Sequence, residues 1–124
     1  SWTSISLTNA LAIAYGGTGA NNAASARTNL GIAATSLYNG TLTSGSITFN
    51  YGNYNFYVII GRPSSSASRT SLVVPRIMLT TSAVSFQIAD ESNYKSFNLS
   101  YSGSLVTLAM GNGAGQINRV FGVN

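Results

Sequence analysis

From residue 36 onward the chain alternates polar and apolar residues in short runs broken by turn residues. Ser46-Ile47-Thr48-Phe49 alternates. Tyr54-Asn55-Phe56-Tyr57-Val58-Ile59-Ile60 begins that way and ends as the continuous apolar run of a buried strand. Ser71 to Leu79 is strand-like, and Pro75 within it argues for an edge strand or a bulge. Val84-Ser85-Phe86-Gln87-Ile88 alternates again. Tyr94 to Tyr101 places Phe97, Leu99 and Tyr101 on one side. Leu105 to Met110 and Ile117 to Val123 read as the last strands. Turns are expected at Asn39-Gly40 between Tyr38 and Leu42, in the Ser-rich loop from Gly61 to Ser71, at Asp90 to Asn93, at Ser102-Gly103, and from Gly111 to Gly115. About eight strands at spacings of 8–12 residues, with no helix between them, predict a mainly β fold. The expected form is an antiparallel β-sandwich, with a jelly roll as one arrangement that fits.

Residues 1–35 read differently, being small and sparse. Asn21 to Gly31 has the marks of a short helix. Asn21 or Asn22 can cap its start, and Gly31 can close it in the left-handed conformation. Ala23, Ala26 and Leu30 share one face. About ten residues is marginal for an isolated helix in water, and this apolar face is thin. Before it, Leu11-Ala12-Ile13-Ala14 leads into Gly16, Gly17 and Gly19. The expectation is a short strand, a glycine turn and a helix that cannot bury themselves. The chain then divides into a neck over 1–35 and a β-sandwich head over 36–124.

Charge narrows the possible partners. The basic residues are six (Arg27, Arg62, Arg69, Arg76, Lys95, Arg119) and the acidic residues two (Asp90, Glu91), for a net charge of +4. Charged residues make up 6% of the chain, where about 25% is ordinary. The cations are scattered, so the clustered footprint of nucleic-acid binding is missing. Charge depletion instead suits large subunit interfaces. No run approaches the roughly 18 apolar residues of a membrane-spanning helix, so no membrane insertion is expected. The chain starts at Ser1 rather than Met, as expected of a fragment or a processed product.

The glycines raise the question of a phosphate cradle. Gly17-Thr18-Gly19 supplies G-x-G, but position 22 is Asn where a dinucleotide fingerprint needs glycine. Nothing acidic occurs before Asp90 to meet a ribose hydroxyl, and no Lys follows to make a P-loop. The structural reading is the stronger one, because glycine lets backbones pass closely. With no Cys and no His, thiolate chemistry, imidazole ligands and a Ser–His pair are excluded. Asp90-Glu91 is the only acidic pair. It reads as a solvated turn, although carboxyls from neighbouring chains would be one route to glycoside hydrolysis. No catalytic residue, metal ligand or cofactor is assigned, and the chain is read as not an enzyme.

The stretch Leu11 to Ile32, LAIAYGGTGANNAASARTNLGI, resembles the YGGTGA…A-x-A-R-x-N-L-G motif of tailed-bacteriophage tail fibres. The residues that carry the resemblance are Gly16, Gly17, Gly19, Arg27, Asn29, Leu30 and Gly31. The sequence departs from the motif only at Ile13-Ala14, where a Pro-containing pair is common. The resemblance implies a fibre's C-terminal receptor-binding tip, in which three chains entwine at the neck and carry three heads. It implies a homotrimer, placed at the fibre tip of the virion and assembled in the host cytoplasm. The partner would be an outer-membrane protein or lipopolysaccharide of the host bacterium.

Contact residues are expected among exposed aromatics, amides and loop cations. Tyr51 and Tyr94 lie by turns beside Asn50, Asn53 and Asn93, a mixture suited to contact surfaces. Arg62 and Arg69 flank a loop and are suited to phosphate or carboxylate groups, and Lys95 follows Asp90-Glu91, for which it would be a simple salt-bridge partner. The expected set is Tyr51, Arg62, Arg69, Asn93, Tyr94 and Lys95. The blander reading makes the tyrosines packing residues and the arginines solvated or part of subunit contacts. Two other functions stay open: a surface-polysaccharide depolymerase and a purely structural trimerisation cap.

Overall fold

The computed structural model describes residues 8–32 and 34–124. The chain forms two compact units, Ser1–Ala33 and Ala34–Asn124. The expected neck includes residues 1–7 and 33, which lie outside the described residues.

In the leading unit the glycine stretch coils back on itself. The Ala12 carbonyl accepts from the N–H groups of both Tyr15 and Gly17, at 3.0 Å each, and the Leu11 carbonyl accepts from Gly19 N–H at 2.7 Å. The expected strand before the glycines is therefore absent. Ile13–Tyr15 is a 3-10 turn, its neighbouring carbonyls being satisfied locally. Gly16 and Gly19 adopt φ of 86° and 65°, the left-handed region that glycine enters without penalty. Gly17 serves a second purpose, since a Cβ there would collide with the Leu11 backbone.

Helix α1 (Ala23–Asn29) follows as predicted, but it is shorter. The Asn22 side chain accepts from Ser25 N–H at 2.8 Å and caps its start. Gly31 closes its end with φ 72°, and Ile32 N–H reaches Arg27 O at 2.8 Å. The Asn29 side chain donates back to Thr18 O at 2.9 Å, tying helix to glycine turn. This unit is held by backbone and amide hydrogen bonds. None of its described residues is buried, and Leu11, Ile13, Tyr15, Leu30 and Ile32 are all exposed.

The second unit has eight strands: β1 (Ala34–Leu42), β2 (Ser46–Asn50), β3 (Phe56–Arg62), β4 (Thr70–Pro75), β5 (Val84–Ala89), β6 (Tyr94–Ser102), β7 (Leu105–Gly113) and β8 (Gln116–Val123). They form two four-stranded sheets, in the orders β1-β8-β3-β4 and β2-β7-β6-β5, and every pairing is antiparallel. Inward positions from both sheets make one core: Tyr57 and Ile59 of β3, Ile117 and Val120 of β8, Val74 of β4, Phe97 and Leu99 of β6, Val106 and Leu108 of β7. Full burial of each such side chain contributes about 1.5–3 kcal/mol. Two antiparallel sheets around one core make a β-sandwich-like unit. Pro75 ends β4, an edge strand, where its missing N–H costs no ladder bond.

Two expectations are corrected. Asn39-Gly40 is not a turn but lies inside β1, where pairing with β8 shifts register between Asn39 and Leu42. Gly40 does not have the positive φ that a tight hairpin needs. Its lack of a side chain instead makes room for Tyr38, whose hydroxyl would stand 2.7 Å from a Cβ there. The turn falls later, at Gly45 with φ 76°. The jelly-roll order is also not adopted. Pairing β1 on β8 and β2 on β7 begins that nesting, but a jelly roll continues with β3 on β6 and β4 on β5. Here β3 pairs β4, and β5, β6 and β7 are consecutive neighbours. The short turns after β5 and β6 favour adjacent hairpins over sheet crossings.

Gly17→Ala is expected to open the glycine turn. Hydrogen exchange should show Gly19 amide protection falling by about tenfold or more, with core amides such as Val120 unchanged.

Candidate functional site

The six expected contact residues divide between opposite ends of the β unit. At one end, tyrosines dominate. The Tyr57 hydroxyl, at the start of β3, donates to the Tyr51 carbonyl. The Tyr51 ring stacks on Tyr101 at 4.8 Å between centroids, and the Arg76 guanidinium lies 3.9 Å from the Tyr51 ring centre. Tyr54 meets Tyr57 edge-on at 6.0 Å. These rings seal the end of the core, and each such aromatic pair contributes about 0.5–1.5 kcal/mol beyond its burial. Tyr51 is thus half-buried in packing rather than presented on a turn. The alternation pattern marked Tyr101 as inward but carried no sign that Tyr51 would stack upon it.

Burial pushes the Tyr57 hydroxyl up to about 12, against a partial lowering by the nearby Arg76 charge. The raised value means that Tyr57 favours the fold fully below its unfolded pKa of 10.0. That contribution is lost as pH rises from there toward 12.

The other end gathers the remaining five. Arg62 ends β3, and Arg69 is exposed at the end of the loop leading to β4. The turn Asp90 to Asn93 joins β5 to β6, and Tyr94 and Lys95 begin β6. The Asp90 carboxylate accepts from Ser92 N–H at 2.9 Å and Asn93 N–H at 2.7 Å. These two bonds hold its pKa below its ordinary value of 3.8. Asp90 is the turn-building residue that the sequence indicated. Asn93 is half-buried, and its carbonyl accepts from Asp90 N–H at 2.9 Å. Tyr94 stands 42% exposed. Arg62 is half-buried and donates to Ser65 O at 3.2 Å, folding the loop against its own strand.

Lys95 is corrected. It occupies an inward position of β6, is only 5% exposed, and donates to Gly113 O at 3.1 Å. A receptor contact needs an accessible ammonium, and this one is inside. Alternation with Phe97 and Leu99 placed it inward, and that signal was readable in the sequence. The accessible set at this end is Arg62, Arg69, Asn93 and Tyr94.

The glycines of the leading unit have no free amides to offer a phosphate: the N–H groups of Gly16, Gly17 and Gly19 are bonded to the carbonyls of Ile13, Ala12 and Leu11. The described residues enclose no pocket, so the recognisable surfaces are loop tips and sheet faces. No family model, no curated protein and no solved structure matches the chain.

Tyr57→Phe is expected to lower stability by about 1 kcal/mol by leaving the Tyr51 carbonyl unpaired. Chemical denaturation at neutral pH measures it, and the gap to wild type should shrink as pH rises from 10 toward 12. Asp90→Ala should lower the melting temperature at pH 7. That difference should fade below pH 3.8, where the carboxylate protonates and the wild type loses the same contribution.

Proposed function

We propose that the chain is a C-terminal receptor-binding tip of a bacteriophage tail fibre, working as a homotrimer that attaches non-covalently to a bacterial outer surface. One observation carries the reading. The segment resembling the fibre motif folds into a hydrogen-bonded turn and helix with no buried residue among those described. In water, five exposed large apolar side chains on so small a unit are unfavourable. Entwinement with two other copies would bury them. The motif residues have matching local roles: Gly16, Gly17 and Gly19 make the turn, Asn29 straps it to the helix, and Gly31 ends the helix.

In this reading the β-sandwich head carries recognition. The loop end, with Arg62, Arg69, Asn93 and Tyr94, combines guanidinium groups for phosphate or carboxylate with an amide and an exposed aromatic ring. Lipopolysaccharide offers such anions, and an outer-membrane protein offers loops of mixed polarity. Three copies per fibre would raise avidity without tight single contacts.

The labelled full chain is expected to bind Gram-negative cells and to compete with phage adsorption. Strains lacking long lipopolysaccharide chains, and strains lacking porins, separate the two receptor classes. An Arg69→Ser/Tyr94→Ala variant should bind at least severalfold more weakly with an unchanged melting temperature. Absence of binding across the strains would leave a structural cap. Release of reducing ends from purified polysaccharide would make the domain a depolymerase.

A further inference from the structure

Two Asn-Gly dipeptides occur in the chain, Asn39-Gly40 and Asn112-Gly113. An asparagine before glycine is open to attack on its side-chain amide by the next backbone nitrogen, since glycine has no Cβ to obstruct the approach. The two sites differ in their surroundings. At the end of β7, Lys95 pairs with Gly113 and Phe97 with Met110, so Gly111 and Asn112 stand opposite Ser96 alone. This is a β-bulge, with one residue left out of the ladder. Asn112 is exposed, and a side chain serves its backbone. Its N–H donates to Ser96 Oγ at 2.8 Å, and that hydroxyl donates to the Asn112 carbonyl at 3.2 Å. Gly113 has φ of 112°, and a Cβ there would collide with the Tyr94 carbonyl. Only glycine therefore fits after Asn112.

We infer that Asn112-Gly113 is a self-modification site, at which Asn112 deamidates through a cyclic imide formed with the Gly113 nitrogen. The Gly113 nitrogen attacks Asn112 Cγ. A C–N bond forms there and the bond from Cγ to Nδ2 breaks. The Gly113 amide proton passes through water to the departing nitrogen, which leaves as ammonia. Water then adds to either carbonyl of the ring and cleaves its bond to the nitrogen. The products are aspartate and isoaspartate at position 112, and the only co-reactant is water. Two neighbours favour the first step. Attack requires the Gly113 N–H to give up its proton. The resulting negative charge spreads onto the Asn112 oxygen of the same peptide group, where the Ser96 hydroxyl donates. The Lys95 ammonium, 5% exposed and 3.1 Å from the Gly113 carbonyl, sets a poorly screened positive charge close to the same residue.

Asn39-Gly40 has neither feature. Asn39 is paired with Arg119 in the ladder, and among the described residues no side chain donates to its carbonyl. The side-chain hydrogen bond at that site goes to the Gly40 carbonyl instead, from Asn118 Nδ2 at 3.3 Å. The Tyr38 hydroxyl also stands over Gly40. Both sites are the same dipeptide, so a difference in their rates reads the fold and not the local sequence. Conversion at Asn112 adds a carboxylate to the end that carries Arg62, Arg69 and Lys95, and it lowers the net charge of +4 by one. The isoaspartate product also lengthens the backbone within the bulge. The surface offered to an anionic partner then changes as the protein ages. The modification itself does not depend on the fibre reading.

The test ages the folded full chain in mildly alkaline buffer and follows both sites by peptide mass spectrometry, with isoaspartate counted separately. Asn112 is expected to convert at least about tenfold faster than Asn39, the factor that corresponds to one charge-assisted hydrogen bond at the transition state. Isoaspartate should be among the products, and the rate should rise with pH. In denaturant the two sites should convert at similar rates. Ser96→Ala should slow conversion at Asn112 by about tenfold, and Ser96→Thr, which keeps the hydroxyl, should restore it. Far-UV circular dichroism and the Asn39 rate in the same sample check that each variant is folded. A folded chain whose Asn112 converts no faster than Asn39 overturns the inference. So does aspartate without isoaspartate, or a preference for Asn112 that persists in denaturant. An unchanged or faster rate at Asn112 in folded Ser96→Ala overturns it as well.

Discussion

Strand β3 is apolar on both sides, and no other feature constrains the second unit so strongly. Tyr57 and Ile59 face inward and are fully buried. Phe56, Val58 and Ile60 face outward from the same five residues of backbone. An antiparallel sheet exposed on one side normally resolves this by alternation, as β6 does with Phe97 and Leu99 inside and Asn98 outside. In β3 the alternation gives way, and with it the sheet's outer surface becomes something that water covers poorly. The inner half of the strand organises the core, whose members come from both sheets.

The two units meet the burial problem in different ways. The β unit has an interior and closes its ends with specific devices. Tyrosine stacking and the Tyr57 bond to Tyr51 close one, and the Asp90 turn and the inward Lys95 close the other. The leading unit has no interior among its described residues. It relies on backbone hydrogen bonds made possible by glycine, and such bonds contribute only about 0.5–1.5 kcal/mol each after competition with water. A fold held that way is shaped but weakly stabilised.

Much of the architecture was readable because alternation has a period of two and directly states which residues share a face. Phe97, Leu99 and Tyr101 on one side, Pro75 at an edge and Asp90 in a turn all followed from local rules. Where local rules failed, a tertiary contact intervened. Asn39-Gly40 has strong turn propensity, yet pairing with β8 carries the strand through it and Tyr38 occupies the space over the glycine. The strand expected before Gly16 needed a pairing partner and instead curled onto its own amides. Lys95 was assigned by its charge rather than by its parity, and parity prevailed.

The sequence by itself determined the kind of structure: short antiparallel strands, a capped helix and a glycine turn, in a chain with few charged residues and no Cys or His. These follow from each residue's own backbone preference and polarity. Only the tertiary structure decided which strands became neighbours, which end received each candidate side chain, and which sheet turned an apolar surface outward. Those outcomes depend on pairing between residues as distant as Ala34 and Val123. No local preference encodes such a pairing, because its energy exists only once both strands are in place.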